Sequence, residues 1–166
     1  MIEDFTAIAR RIADMLLARG EKIAVADGAS GGLISAALLT VPGALRFHVG
    51  GGVVYSLHGR NVLLALPRDA YRGMESATPA YALLQARAIA ANFKASWAIA
   101  ETGSAGGSGS NHPMGVASGV SCAAVIGPGI ERARRIETGS DDRAANMLAF
   151  TSNALDLLET TLREAV

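Results

Sequence analysis

Two glycine-rich loops hold the clearest opportunities for chemistry in this sequence. The first, Asp27-Gly28-Ala29-Ser30-Gly31-Gly32, ends a short apolar run and opens a helix-like stretch. Free backbone N–H groups at such a turn, helped by the helix dipole, favour a phosphate or carboxylate. The Lys-Ser/Thr ending of a P-loop is missing, and so is the G-x-G-x-x-G spacing. Two readings stand: an anion cradle, or a tight strand-to-helix turn that needs glycine for steric reasons. The second loop, Thr102-Gly103-Ser104-Ala105-Gly106-Gly107-Ser108-Gly109-Ser110, is too polar for core packing. Its place after a strand points to a substrate lid, with a plain linker as the other reading. No His/Cys/Asp cluster has metal-ligand spacing, so no metal is expected.

The elements that would position these loops follow from periodicity. Ile2, Phe5, Ile8, Ala9, Ile12, Ala13, Leu16 and Leu17 recur at helical spacing, and Gly20 stands where a left-handed cap belongs. Residues 22–27 predict a buried strand and 33–39 a helix ending before Val41-Pro42-Gly43. Residues 45–56 read as strand with a glycine bend at 50–52, and 61–66 as a helical turn stopped by Pro67. A helix capped within 76–78 starts at Pro79 and carries Tyr81, Leu84, Ala88 and Ala91 on one face. Residues 96–102 predict a strand, and 115–126 and 130–138 an antiparallel pair. Asp141 or Asp142 caps a last helix with Leu148, Leu155, Leu158 and Leu162 along one side. The fold class expected is α/β, a three-layer α/β/α sandwich with a mixed sheet.

Composition narrows the function classes. The chain has 166 residues, 50% hydrophobic and 18% charged, with mean hydropathy +0.29. That suffices for one domain over 1–166 and excludes disorder. Fifteen basic residues, all arginine but Lys22 and Lys94, balance fifteen acidic ones. No net field remains to hold a polyanion, which argues against nucleic-acid and membrane-surface partners. The uncharged stretch between Glu101 and Glu131 is broken by glycine and proline and cannot span a bilayer. The single cysteine, Cys122, makes no internal disulfide, and a cytoplasmic location is expected. Trp97 and Cys122 read as core, His48 as a satisfied structural histidine, and Arg132, Arg134 and Arg135 as a solvated face or a subunit contact.

The order of motifs resembles the CinA C-terminal domain family, the competence/damage-inducible proteins. The resemblance rests on the first strand, then Gly-Gly-Leu-Ile-Ser-Ala-Ala-Leu-Leu-Thr-Val-Pro-Gly-Ala from Gly31. Next come Gly-Gly-Val-Val-Tyr-Ser from Gly51 and a Thr-Gly-x-Ala-Gly loop leading to Pro113-Met114-Gly115-Val116. It covers residues 8–158. It implies hydrolysis of the carboxamide of nicotinamide mononucleotide to the acid with release of ammonia, and no cofactor. It also implies a small-molecule nucleotide ligand bound by Gly31, Gly32, Tyr55, Arg60, Thr102, Gly103, Gly106 and Arg143. A homo-oligomer is expected as well.

Two departures bear on that chemistry. The resemblance places a nucleophilic serine at Gly28, which has no side chain, and a lysine base at Arg60. An amide needs a nucleophile whose proton a nearby base removes, and an arginine stays protonated at neutral pH. The expectation is therefore a degenerate member that binds a nucleotide without cleaving it. The alternatives are an amidohydrolase using Ser30 as nucleophile and His58 as base with Tyr55 orienting, or a purely structural oligomer. Against the first of these, Ser30 reads equally as a helix cap and His58 as an exposed loop residue. Beyond the second loop, His112 replaces a lysine of the family pattern. Gly139 and Arg143 resemble its Gly-x-Arg entry, whose guanidinium can bind a phosphate.

Overall fold

The computed structural model describes residues 1–108 and 115–165. The lid reading of the second loop falls partly on 109–114, and His112, Pro113 and Met114 lie outside the described residues. The elements in chain order are α1 (Thr6–Arg19), β1 (Ile23–Asp27), α2 (Leu33–Leu39), β2 (His48–Val53), α3 (Leu57–Leu64), α4 (Pro79–Phe93), β3 (Trp97–Ser104), β4 (Val120–Gly127), β5 (Ile130–Glu137) and α5 (Arg143–Glu164). The five strands run in the order β2-β1-β3-β4-β5. β1 pairs in parallel with both β2 and β3, whereas β3–β4 and β4–β5 are antiparallel, so the sheet is mixed.

Strand alternation separates two cores. Ile23 and Val25, Trp97 and Ile99, and Ala123 and Val125 face one side with α1, α2 and α5. Ala24, Ala26, Ala98, Ala100, Cys122 and Ala124 face the other, against Ala82, Ala86 and Ile89 of α4. Period-two alternation makes this split unavoidable once the register is set. Large side chains fill the side with three helices. Small ones let the single long helix α4 lie close to the sheet.

Most elements stand where periodicity puts them, and the differences have local causes. Gly20, at φ 65°, caps α1 with its N–H on Leu16 and Leu17. The Thr78 hydroxyl caps α4 by accepting from the Tyr81 N–H, and Asp142 caps α5 through the Ala145 N–H. Of the expected α4 face, Tyr81 and Ala88 are buried and Leu84 packs partly buried against the core, whereas Ala91 is exposed; Ala82, Gln85, Ala86, Ile89 and Ala90 widen the buried side. The strand expected over 45–56 is shorter, because Arg46 and Phe47 donate back to Gly43 and Ala44 and wind that segment into a turn. The helical turn expected over 61–66 is instead all of α3, begun four residues earlier by the Ser56 hydroxyl accepting from Gly59 N–H. His58 and Arg60 therefore sit on a helix rather than in a loop. The strand expected from 115 starts only at Val120. His48 is buried, yet its Nδ1 has no hydrogen-bond partner, and burial pushes its pKa down. It is not the satisfied histidine the sequence suggests.

The topology sets the location of a site. From β1 the chain passes through α2 to β2 on one side, then through α3 and α4 to β3 on the other. β1 is thus the point at which the connections diverge to opposite faces, and ligands in open α/β sheets gather outside the carboxyl end of such a strand. Asp27 ends β1, and Glu101 to Ser104 form the matching end of its parallel neighbour β3. The glycines of β2 allow it to approach: a Cβ on Gly51 would lie 1.8 Å from the carbonyl oxygen of its partner Val25. Gly51→Ala should therefore destabilise the fold by about 1–3 kcal/mol. A urea-denaturation midpoint equal to that of the unsubstituted protein would contradict this packing.

Candidate functional site

Two carboxylates control the first glycine loop. Asp27 is fully buried. Its Oδ1 accepts from the Ser30 hydroxyl (2.8 Å) and the Ile34 N–H (3.0 Å). Its Oδ2 accepts from the N–H (3.2 Å) and hydroxyl (2.8 Å) of Ser35. Asp27 thus reaches past five residues of loop to cap α2 from outside the helix. Glu101, also fully buried, accepts from the Ser30 N–H (2.7 Å) at Oε2 and from the Ser121 hydroxyl (2.6 Å) at Oε1. Within the loop, the Ser30 N–H and hydroxyl are held by Glu101 and Asp27, and the Gly31 N–H by the Gly28 carbonyl. Of the two readings of this loop, the geometry favours the structural turn, and α2 is only seven residues long.

Neither acid stands out from its neighbours by motif. Each is the one acidic residue in an otherwise apolar strand, just before a glycine turn, and that is the signal a sequence reading could have used. Burial pushes the Glu101 carboxyl above the usual carboxylate range; Asp27 adds to the effect, while the hydrogen bonds from Ser121 and Ser30 oppose it. Two pocket-lining glycines leave room for Glu101. A Cβ on Gly103 would lie 2.9 Å from Glu101 Oε1. A Cβ on Gly28 would lie 2.2 Å from the Glu101 carbonyl oxygen and 3.3 Å from Oε2.

Above this floor lie two cavities that share Val54, Tyr55 and Thr102 as a common wall. The first, of about 240 Å³, is lined by Gly28, Ala29, Gly103, Gly106 and Arg143 among others. The Arg143 guanidinium starts α5 and donates to the Gly106 carbonyl (2.8 Å) and to the Tyr55 hydroxyl. Tyr55 is 68% exposed and forms the partition. The second cavity, of about 310 Å³, is lined by Ser56, Arg60, Ser76, Tyr81 and Gln85. Arg60 lies over the Tyr71 ring, 3.6 Å from its centroid, and donates to the Tyr81 hydroxyl (3.1 Å). Burial pushes the Tyr71 hydroxyl up to about 12, with Arg60 pulling the other way.

The sequence-expected residues thus divide. Gly28, Tyr55, Thr102, Gly103, Gly106 and Arg143 line the first cavity, and Tyr55, Arg60 and Thr102 the second. Ser30 lies fully buried beneath, its hydroxyl turned to Asp27, and Gly31 and Gly32 lead into α2. His58 is exposed on α3, and among the described residues no hydrogen bond joins it to Ser30. The Thr102 hydroxyl accepts from the Ala77 N–H (3.3 Å), tying β3 to the start of α4. Among the described residues no group of three His, Cys, Asp or Glu could hold a metal, and no helix is long and apolar enough to cross a membrane.

The architecture is a three-layer α/β sandwich with a mixed five-stranded sheet and a cleft at the carboxyl ends of its parallel strands. The chain belongs to the CinA C-terminal domain family, whose profile it matches over residues 5–162. It is 34% identical over 115 residues to a putative competence-damage inducible protein of Desulforamulus reducens, covering 69% of this chain and 28% of that protein. To a CinA-like protein of Anaeromyxobacter dehalogenans it is 34% identical over 151 residues, covering 89% and 36%. The chain therefore spans about a third of the length of these curated relatives. The crystal structure of a CinA superfamily protein from Klebsiella pneumoniae superposes with TM-score 0.86 at 23% identity, covering 97% of this chain and 99% of that one. The competence/damage inducible protein CihA of Agrobacterium tumefaciens gives 0.85 at 24%, with 95% of each chain covered. The last two likenesses are of fold.

The raised Glu101 pKa gives a signed prediction. Its protonated form fits the fold better, so that contribution is full below the unfolded carboxylate pKa and is lost as pH rises through the folded value. Glu101→Gln can copy the protonated group, with its carbonyl accepting from Ser30 N–H and its amide donating to the Ser121 hydroxyl. The variant's stability relative to the unsubstituted protein should rise in urea titrations as pH climbs above the unfolded carboxylate pKa, and level off above the folded one. A stability difference that does not change with pH would show that the buried carboxyl titrates normally.

Proposed function

We propose that this chain is a CinA-type protein that binds a small nucleotide of the nicotinamide mononucleotide kind and does not hydrolyse its amide. The observation that carries the reading is Gly28. At the position where the family resemblance puts the nucleophile there is no side chain, and a Cβ there would lie 2.2 Å from the Glu101 carbonyl oxygen. Arg60, at the position of the base, is stacked on Tyr71 and remains protonated at neutral pH. The neighbouring hydroxyl of Ser30 is donated to Asp27 below the cavity floor. A nucleophile and its base act as one unit, and replacement of both removes that unit. Binding asks less: two adjoining cavities, an exposed tyrosine face for a flat ring, and guanidinium groups for a phosphate.

The test is calorimetric titration of the purified protein with nicotinamide mononucleotide, beside an assay for released ammonia. Saturable binding without ammonia above the buffer blank is expected. Ammonia release by the unsubstituted protein, or the absence of any binding, contradicts the reading. The Gly28→Ser/Arg60→Lys variant reports on the two lost groups, since turnover by it would place the loss at those positions. The hydroxymethyl group it introduces must first displace the Glu101 carbonyl, so this variant should also be the less stable protein.

A further inference from the structure

Several arginines outside the cleft are paired with an acid, and among the described residues the two of the cleft are not. Arg11, Arg87, Arg132, Arg135 and Arg163 each pair with a glutamate. Arg143 and Arg60 instead meet only neutral partners among the described residues: the Gly106 carbonyl and Tyr55 hydroxyl for one, the Tyr81 hydroxyl and Tyr71 ring for the other. Arg60 is half-buried, and its Nε is buried with no partner. Among the described residues no Asp or Glu lines either cavity. Acids around the cleft hold other donors: Asp27 and Glu101 bind Ser30 in the loop beneath, Asp141 accepts from the Gly107 N–H, and Asp142 caps α5. A partly desolvated cation that lacks a carboxylate attracts an anion more strongly than a solvated one does. Among the described residues each cavity has one cation without a carboxylate, Arg60 half-buried and Arg143 exposed, and they stand on either side of Tyr55.

We propose that the joined cleft is built for a small molecule with a negative group at each end, and that Arg60 makes it prefer a carboxylate to the corresponding carboxamide. The planar guanidinium presents parallel N–H donors that match the two oxygens of a carboxylate. A carboxamide offers one oxygen, and its NH₂ group meets those donors with a donor of its own. Arg143, at the start of α5, takes the other anion, a phosphate in the nucleotide case. Ser30 of the Gly28–Gly32 loop takes no part, because Glu101 and Asp27 already hold its N–H and hydroxyl. This inference rests on reading the same cleft as the binding site, but not on the ligand being a pyridine nucleotide.

Calorimetry with four probes separates the two. They are nicotinate mononucleotide, nicotinamide mononucleotide, 3-phosphoglycerate (carboxylate and phosphate, no base) and glycerol 3-phosphate (phosphate alone). The acid nucleotide should bind at least about tenfold tighter than the amide. Arg60→Gln should reduce that preference to below about threefold by weakening the acid alone, whereas Arg143→Gln weakens both nucleotides alike. Arg60→Lys keeps a cation over Tyr71 without the fork, so it should fall between, and it covers the case in which Arg60→Gln does not fold. An amide that binds as tightly as the acid, or a preference that survives in Arg60→Gln, overturns the inference and leaves nucleotide binding intact. If neither nucleotide binds but 3-phosphoglycerate does, in a manner dependent on both arginines, the nucleotide reading fails and the inference stands. Binding by none of the four overturns both.

Discussion

The Asp27 carboxylate is the interaction on which the rest of this site depends. It sits at the end of β1, out of water, and answers four donors from the next eight residues. A buried ionised group persists only where such donors surround it, and those donors in turn are left unsatisfied without it. The first turn of α2, the buried side chain of Ser30 and the path of the Gly28–Gly32 loop are therefore fixed together. Because β1 lies between two parallel neighbours at the divergence of the connections, that loop is also the floor of the cleft.

Glu101 extends the same constraint to β3. Its carboxyl bridges the Ser30 N–H on the loop and the Ser121 hydroxyl on β4, and it fits because Gly28 and Gly103 lack side chains. Gly28 thus has a packing role of its own. It is the residue that admits the close approach of β1 and β3 at their ends. On the reading proposed above, amide hydrolysis would need a side chain and a base here; this chain has close packing and a buried acid. What remains open to a ligand is the upper part of the cleft, around Tyr55, with Arg143 on one side and Arg60 on the other.

Much of this was legible in the sequence, for identifiable reasons. α1, α2, α4 and α5 carry strong helical periodicity with glycine, proline or Asp at their ends, and the strands β1 and β3 are short apolar runs. The positions of Tyr55, Thr102, Gly103, Gly106 and Arg143 around one cavity follow from the order of motifs once the sheet is mixed. α3 was not legible in full, because Gly59 and His58 weaken its helical pattern and its start depends on a single serine hydroxyl. A lone acid in an apolar strand is the one trace that Asp27 and Glu101 leave in the sequence, and it does not say which donors meet them. Only the tertiary approach of β1, β3 and β4 surrounds Glu101 with donors. The stacking of Arg60 on Tyr71 depends likewise on a turn between α3 and α4 that no local pattern specifies.

The most direct measurement is a crystal structure of the protein grown with nicotinamide mononucleotide. The account predicts an intact nucleotide against Tyr55, its phosphate on Arg143, with Asp27 still holding Ser30, Ile34 and Ser35. A phosphate seated on the Gly28–Gly32 amides, or electron density joining Ser30 to the ligand, would contradict it.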